Sequence, residues 1–274
     1  VKRKIRNVGI FASKIVILLP TSHTIGQSFI ELKEADSTNN YAMAAAKQGD
    51  AMHGTAWFTD NQTAGRGQRG HSWVSKPGEN LALSVLLDTS PLPLAQQFSV
   101  IMLAALGAYD LLEPFGKENL KIKWPNDIYI GDKKAVGILT ESVIKGQIWQ
   151  WTVIGIGINV NQMSFANEAL NHKVTSLFQY TGQKTETKTL AKALCNKLEK
   201  RWQQLLQYGM EALWEDYNLF LFKKGENVRY KRQNGEIFTC RIEGVDKDGK
   251  LHVAHNGTEE IFSFGEIEFQ IGQN

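Results

Sequence analysis

Apolar and polar residues alternate from Phe29 to Ala35 with the period of a strand. Asp36-Ser37-Thr38 then offers side-chain oxygens ahead of a helical run from Asn40 to Gln48, which Gly49 can end. Thr55 to Thr59 reads as a buried strand, Asn61 to Ser72 as a polar glycine-rich loop, and Leu81 to Leu87 as a second buried strand. After Pro93 the chain is apolar on nearly every side through Leu112, the pattern of a helix packed inside a layered domain. Leu120 to Trp124 is a short strand stopped by Pro125-Asn126-Asp127, and Ile128 to Ile130 resumes it before a Gly131-Asp132 turn. Ala135 to Val143 and Ile148 to Asn159, parted by Lys145-Gly146-Gln147, form the clearest hairpin. Helical spacing returns from Leu190 to Leu206, with Leu190, Leu194, Leu198 and Leu205 in register, and again from Met210 to Tyr217.

Beyond Lys223 the character changes to short strands, Val228 to Lys231, Ile237 to Val245, Leu251 to His255 and Glu260 to Phe264, joined by turns such as Gln233-Asn234-Gly235 and Asp248-Gly249. The expected organisation is an α+β core over residues 29–222, a mixed sheet with packed helices, followed by a small all-β barrel over 223–274. Residues 1–28 remain an unassigned segment. Lys2, Arg3, Lys4 and Arg6 precede the apolar stretch from Val8 to Pro20, loosely like a secretory leader, but Lys14 interrupts it and no small-residue cleavage site follows. The stretch is also too short to span a bilayer. A folded or loosely attached segment, no membrane and a cytoplasmic location are therefore expected.

Bulk composition narrows the function classes. With 274 residues, 42% of them hydrophobic and 22% charged, the chain has ample material for one large core and a smaller domain. A net charge of +3 is too small to imply a nucleic-acid protein by itself. The two cysteines, Cys195 and Cys240, lie far apart without metal-ligand spacing, so they read as buried small hydrophobes.

Three stretches carry candidate chemistry. Gly65-Arg66-Gly67-Gln68-Arg69-Gly70 joins glycines, which let backbone N–H groups approach oxygens, to planar multidentate arginines. It is neither a P-loop nor a dinucleotide fingerprint, since no Gly-Lys-Ser/Thr follows and the next element is a strand. A basic surface loop is as good a reading of those residues alone. Lys123-Trp124-Pro125-Asn126-Asp127 sets a cation and an acid on either side of a rigid strand end, where solvated turn residues would also serve. Gly155-Ile156-Gly157-Ile158-Asn159 repeats glycine on one face of a strand, a sign of close approach by a ligand or backbone, or of a bulge.

Taken in order, D-S-T-N at Asp36 to Asn39, Gln62 before G-R-G-Q-R-G, K-W-P-N-D, K-A-V-G-I-L-T-E from Lys134 and G-I-G-I-N-V from Gly155 resemble the signature set of the biotin protein ligase family, short form without a DNA-binding domain. The resemblance runs from about Phe29 to the end. It implies a core of the class II aminoacyl-tRNA-synthetase type with an SH3-like C-terminal barrel. It also implies a two-step reaction: biotin and MgATP give biotinyl-5′-adenylate and pyrophosphate, and a lysine of a biotin carboxyl carrier domain then takes the biotinyl group. Carried onto this sequence, Ser37, Thr38, Asn39 and Gln62 would hold the ureido end of biotin. Gly65, Arg66, Gly67 and Gln68 would close over its carboxylate. Lys134 would grip carboxylate and α-phosphate oxygens, and Lys123 would neutralise phosphate. Arg66, Arg69, Trp73, Asn126 and Asn159 would meet the nucleotide. Asp127, with Lys134, Lys123 and Arg66, belongs to the catalytic set, its role open between positioning a cation and deprotonating the amine. No metal-ligand set is assigned beyond the Mg²⁺ that accompanies ATP.

Gln68 stands where many family members carry arginine, and one charge fewer predicts faster leakage of the adenylate. No helix-turn-helix pattern precedes Phe29, so no DNA partner is expected. A lipoate ligase shares the catalytic plan but should show an Arg-Arg and triple-Gly signature, which is absent. A non-catalytic biotin-responsive regulator has less need of both Lys123 and Lys134. Monomer and homodimer stay open.

Overall fold

The computed structural model describes residues 23–50, 52–165 and 172–270, so the expectations for the basic and apolar N-terminal stretch lie outside the described residues. The core is built on a seven-stranded sheet in the order β1-β2-β5-β9-β8-β7-β6. Its strands are β1 (Phe29–Glu31), β2 (Ala56–Thr59), β5 (Asn80–Asp88), β6 (Leu120–Lys123), β7 (Asp127–Ile130), β8 (Lys133–Lys145) and β9 (Ile148–Asn159). All neighbours are antiparallel except β1 with β2. β3 (Gly65–Arg66) and β4 (Ser72–Trp73) form a separate two-stranded ribbon inside the glycine-rich loop.

Side-chain alternation divides the sheet into two faces. Leu81, Leu83, Val85 and Leu87 of β5, Val136 and Ile138 of β8, and Ile154, Ile156 and Ile158 of β9 all join the main core. That core is completed by α2 (Gln97–Gly116), α4 (Thr187–Tyr208) and α5 (Met210–Leu219). The all-round apolar pattern of α2 is thereby explained, since it packs on the sheet, on α4 and on α5. Although Leu94–Asn119 is long and apolar enough to cross a membrane, most of it is buried inside this fold. Arg201 of α4 ties the helical layer together through Asp110 of α2 at 2.7 Å and Asp216 of α5 at 2.5 Å.

The opposite face is covered only in part. α1 (Thr38–Gln48) packs there with Ala42 and Ala46 against Trp57, Leu86 and Val153. Past the end of α1 the same face presents Gly137, Gly155 and Gly157, and a cleft opens over them. The α1 cap follows expectation, with Gly49 at φ 77° closing the helix. The first strand is shorter than its alternation suggests. After Glu31 the chain bends, Leu32 bonds Phe58, and Ala35 pairs with Gln62 in an isolated bridge that delivers Ser37 to the start of α1.

The C-terminal unit is a five-stranded antiparallel sheet, order β13-β12-β11-β10-β14, of the small SH3-like kind expected. It comprises β10 (Asn227–Arg232), β11 (Ile237–Val245), β12 (Leu251–His255), β13 (Thr258–Phe262) and β14 (Ile267–Phe269). β13 begins two residues earlier than the sequence pattern suggests. The reason is the Asn256-Gly257 turn, whose residues both have positive φ (50° and 78°) and so start the strand at once. β14 and the short helix α3 (Leu177–Thr181) have too few residues to show a period. The unit packs firmly on the core: Trp124 donates to Gly249 O at 2.9 Å, Trp214 donates to Val245 O at 2.6 Å, and Asn218 bonds Val245 in both directions.

Candidate active site

Strand β8 supplies the axis of a cleft of about 600 Å³. Gly137, Leu139 and Glu141 share one face of β8 by alternation, which on its own would turn Lys134 into the core. A bulge prevents that. The register with β7 steps from Ile128↔Val136 to Tyr129↔Lys134, so Ala135 is an extra residue, buried beside Val136. The slip moves Lys134 to the face of Gly137, where its Cε lies within 3.2 Å of the position a Gly137 Cβ would take. With a strand rise of ~3.3 Å per residue, the backbones of Lys134 and Glu141 lie about 20 Å apart along β8, with the cleft between them.

The Lys134 end is charged. Lys134 Nζ lies 2.7 Å from Asp127 Oδ1, a close ion pair whose angle falls outside hydrogen-bond geometry. The backbones of Asp127 and Gly137 are register partners, which is what brings the carboxylate to the lysine. Asn126 lines the cleft and donates from Nδ2 to Ile138 O at 2.5 Å, which holds the strand junction. Lys123 lies at the same end, half-buried, with Nζ over the rings of Tyr129 at 5.5 Å and Phe269 at 5.3 Å. Loss of water pushes its ammonium below the usual lysine range; Asp127 and Glu268 oppose that shift and Lys134 adds to it.

In the middle, Trp73 covers a step made by two glycines that face each other across β8 and β9, Gly137 and Gly157. A Cβ on Gly157 would sit 2.5 Å from Trp73 Cε2, and one on Gly137 would sit 2.7 Å from Trp73 Cζ3. The repeated glycine in the β9 motif is therefore space for a ring, with no bulge at that point. Lys134 Nζ stands 5.7 Å from the same indole, whose Nε1 is enclosed without a protein partner.

The other end is polar and largely uncharged. Ser37 is the N-cap of α1 but makes no capping bond through its side chain, leaving the hydroxyl to the cleft. Gln62 Oε1 accepts from Thr38 N at 3.0 Å. Gly65 gives Gln62 room, since a Cβ there would lie 2.4 Å from Gln62 Nε2; Gly65 is otherwise backbone support and does not line the cleft. Asn39 lies flat on Gly155 and bonds Ser84 and Glu141. Arg66 forms a two-pronged ion pair with Glu141, Nη2 to Oε1 at 2.9 Å and Nη1 to Oε2 at 3.1 Å, and also bonds Asn40.

Between the two ends, the glycine-rich loop closes one side. Gly67 N bonds His71 O at 2.6 Å, and Gln68 faces the cleft with an enclosed, unpartnered Oε1. Arg69, at φ 55°, reaches the C-terminal unit, donating to Gly265 O at 3.1 Å and lying 5.5 Å from the centre of the Phe264 ring. Residues 230–233 and 264–269 of that unit complete the cleft wall. Asn159, like Gly65, is a sequence candidate outside the cleft lining. It is buried and donates to Thr175 O at 3.0 Å.

Residues 32–159 match the Biotin/lipoate A/B protein ligase family, and residues 224–270 match the Biotin protein ligase C terminal domain. The chain is 34% identical to the bifunctional ligase/repressor BirA of Bacillus subtilis, over 88% of this chain and 74% of that protein. It is 30% identical to the biotin--[acetyl-CoA-carboxylase] ligase of Paracoccus denitrificans, over 87% and 99% respectively. The chain belongs to the biotin protein ligase family. Its fold is also that of the biotin protein ligase from Aquifex aeolicus, solved in complex with biotin and ATP, with a TM-score of 0.75 and 25% identity over 89% of this chain and 99% of that one.

For a biotin protein ligase the sequence reading gave no role to two groups on this face of the sheet. Ser84 sits in an apolar strand and escaped notice, and Glu141 closes the K-A-V-G-I-L-T-E motif without being assigned to the site. The cross-strand pairing of Ser84 with Gly155, the one glycine with no ring above it, is visible only in the sheet register.

Proposed function

We propose that this chain is an ATP-dependent biotin protein ligase that condenses biotin with ATP to biotinyl-5′-adenylate and passes the biotinyl group to a lysine of a carrier domain in a biotin-dependent carboxylase. The observation that carries the reading is the polarity gradient along β8: hydrogen-bonding amides and hydroxyls at Asn39 and Gln62, a glycine step in the middle, and Lys134 with Lys123 at the far end. Biotin has the same order of parts, a polar cyclic urea, an aliphatic chain and a carboxylate. Lipoate, with an apolar ring, would leave the Asn39 end unused, and a buried polar site rejects a ligand that cannot pair with it.

The chain's own groups suit adenylate formation. Carboxylate and triphosphate repel each other, and Lys134 and Lys123 lie where that repulsion must be offset; fixed cations in a partly dehydrated cleft are worth far more than in water. The proposed roles of the loop divide by geometry. Arg69 and Gln68 border the nucleotide side, while Arg66, held by Glu141, belongs to the head-group wall. Trp73 covers the chain of the acid or the adenine. Among the described residues no group of three His, Cys, Asp or Glu side chains is placed to hold a metal. Mg²⁺ enters the proposal as part of the MgATP substrate. With ATP and a carrier as co-substrates, a cytoplasmic location is part of the proposal.

The test is pyrophosphate release with MgATP and either biotin or lipoate, in the intact protein and in Lys134→Ala, with a biotin carrier domain added in a second stage. Biotin-dependent release that falls sharply in the variant, followed by amide formation on the carrier, is expected. Release with lipoate but not biotin would replace the reading with the lipoate one. Biotin binding without turnover would leave a regulator.

A further inference from the structure

Asn39 is the pivot of the polar end, and its amide is held from both sides. Its Nδ2 donates to Glu141 Oε2 at 2.9 Å, while its Oδ1 accepts from the Ser84 hydroxyl at 2.6 Å. Ser84 is fully buried and lies 2.8 Å from Thr38 Oγ1 as well, so one hydroxyl links the two neighbouring α1 residues. Glu141 spends its remaining capacity on Arg66, which neutralises the carboxylate and leaves it a firm acceptor. An asparagine amide is nearly symmetric in shape and opposite in function at its two ends, so its orientation is set only by its partners. Here an obligate acceptor stands at one end and a donating hydroxyl at the other. The Ser84 hydroxyl could accept as well as donate, so it is the carboxylate that bars a turn of the amide, which would set Oδ1 against Glu141.

We infer that Ser84 and Glu141 are positioning residues that fix the polarity of Asn39 and Thr38, and that this fixed polarity makes the pocket select an acid with a hydrogen-bonding ring over one with an apolar ring. The inference rests on the proposed biotin reading and adds the source of its selectivity. Neither residue need touch the ligand. Ser84 lies under the α1 side chains, and Glu141 is engaged by Asn39 and Arg66. The carboxylate also accounts for the placement of Arg66, whose guanidinium is engaged by Glu141 and Asn40.

The experiment is calorimetric binding of biotin, lipoate and a non-hydrolysable ATP analogue to the full chain and to Ser84→Ala, Glu141→Ala and Glu141→Gln, with steady-state pyrophosphate release alongside. Ser84→Ala and Glu141→Ala are expected to weaken biotin at least ~10-fold, the factor that one lost hydrogen bond of ~1.4 kcal/mol produces. The loss should appear in KM for biotin, with kcat little changed and with the ATP analogue and lipoate held as in the parent. Glu141→Gln keeps an oxygen for Asn39 Nδ2 at constant volume and should recover part of the loss, so a Glu141→Ala chain that fails to fold still leaves a decisive variant. Unchanged biotin affinity in Ser84→Ala and Glu141→Gln would overturn the inference, as would equal weakening of biotin, lipoate and the ATP analogue. A parent protein that binds no biotin would defeat the proposed function itself, a result separate from either.

Discussion

Asn39 rests directly on Gly155: a β-carbon at that strand position would fall 2.0 Å from Asn39 Oδ1 and 2.8 Å from its Cγ. The glycine is thus a seat for the amide, and because Ser84 and Glu141 hold that amide in place, it has no free rotation with which to retreat. Gly155→Ala should displace Asn39 at an overpacking cost of about 1–3 kcal/mol. We expect KM for biotin to rise at least ~10-fold and Tm to drop by several degrees, read by pyrophosphate release and thermal unfolding. An alanine variant with unaltered KM would show that Asn39 is not part of the acid site.

Lys134 and Asp127 form one unit, joined at 2.7 Å. Lys134→Ala removes a cation that acts where charge develops, and a loss of about 10²- to 10³-fold in the rate of adenylate formation is expected. Asp127→Asn should lower adenylate formation and carrier transfer by similar factors, smaller than for Lys134→Ala, because the ion pair makes Asp127 a holder of the lysine. The double variant should be no slower than Lys134→Ala alone. Single-turnover transfer from preformed adenylate separates the alternatives. An Asp127→Asn effect confined to transfer would instead make this carboxylate the base for the incoming amine.

Much of this arrangement was legible in the sequence because its signals are local. Alternation drew the β8–β9 hairpin within two residues of its ends, the apolar period found α2 and α4, and glycine with arginine marked the loop from Gly65 to Gly70. What stayed hidden depends on pairing between distant segments. The slip at Ala135 that turns Lys134 into the cleft is a property of the β7–β8 register. The partnership of Ser84, Asn39 and Glu141 joins β5, α1 and β8, and no spacing in the chain encodes it. Asn159 sits in a motif that suggested a ligand, and its amide nitrogen is bonded to Thr175 O outside the cleft lining, a link that only the folded chain shows.

Lys123 offers a test by pH. Burial lowers its pKa, so in the folded state the ammonium loses its proton at a lower pH than in the unfolded chain. The destabilisation is complete below the folded pKa and fades as pH rises from there toward the unfolded value, about 10.4. Lys123→Met should accordingly stabilise the fold near neutral pH, read as a rise in Tm, while lowering kcat/KM for ATP by about 10²-fold. In the parent, adenylate formation should show an alkaline limb below the ordinary lysine range, and Lys123→Arg should move that limb upward. A limb unmoved in Lys123→Arg would mean that another group sets it.

Gln68 borders the cleft beside Arg69, with its Oε1 enclosed and unpartnered. On the proposed reading, this loop is the lid that keeps the adenylate from escaping before a carrier arrives, and Arg69 is partly committed to Gly265 O and the Phe264 ring. The loop therefore faces the phosphate with less free charge than its two arginines suggest, since Arg66 is paired with Glu141 as well. Gln68→Arg adds a cation at a cleft-lining loop side chain whose Oε1 has no bond to lose. A single charge-assisted contact of ~1.4 kcal/mol slows departure about tenfold. We expect adenylate dissociation, followed by stopped-flow chase of the preformed complex, to slow by that factor, and labelling of bystander lysines in a mixture without carrier to fall with it. Equal dissociation rates in the two proteins would mean that Gln68 does not face the phosphate, and that retention is set by Lys134, Lys123 and the closure of Trp73.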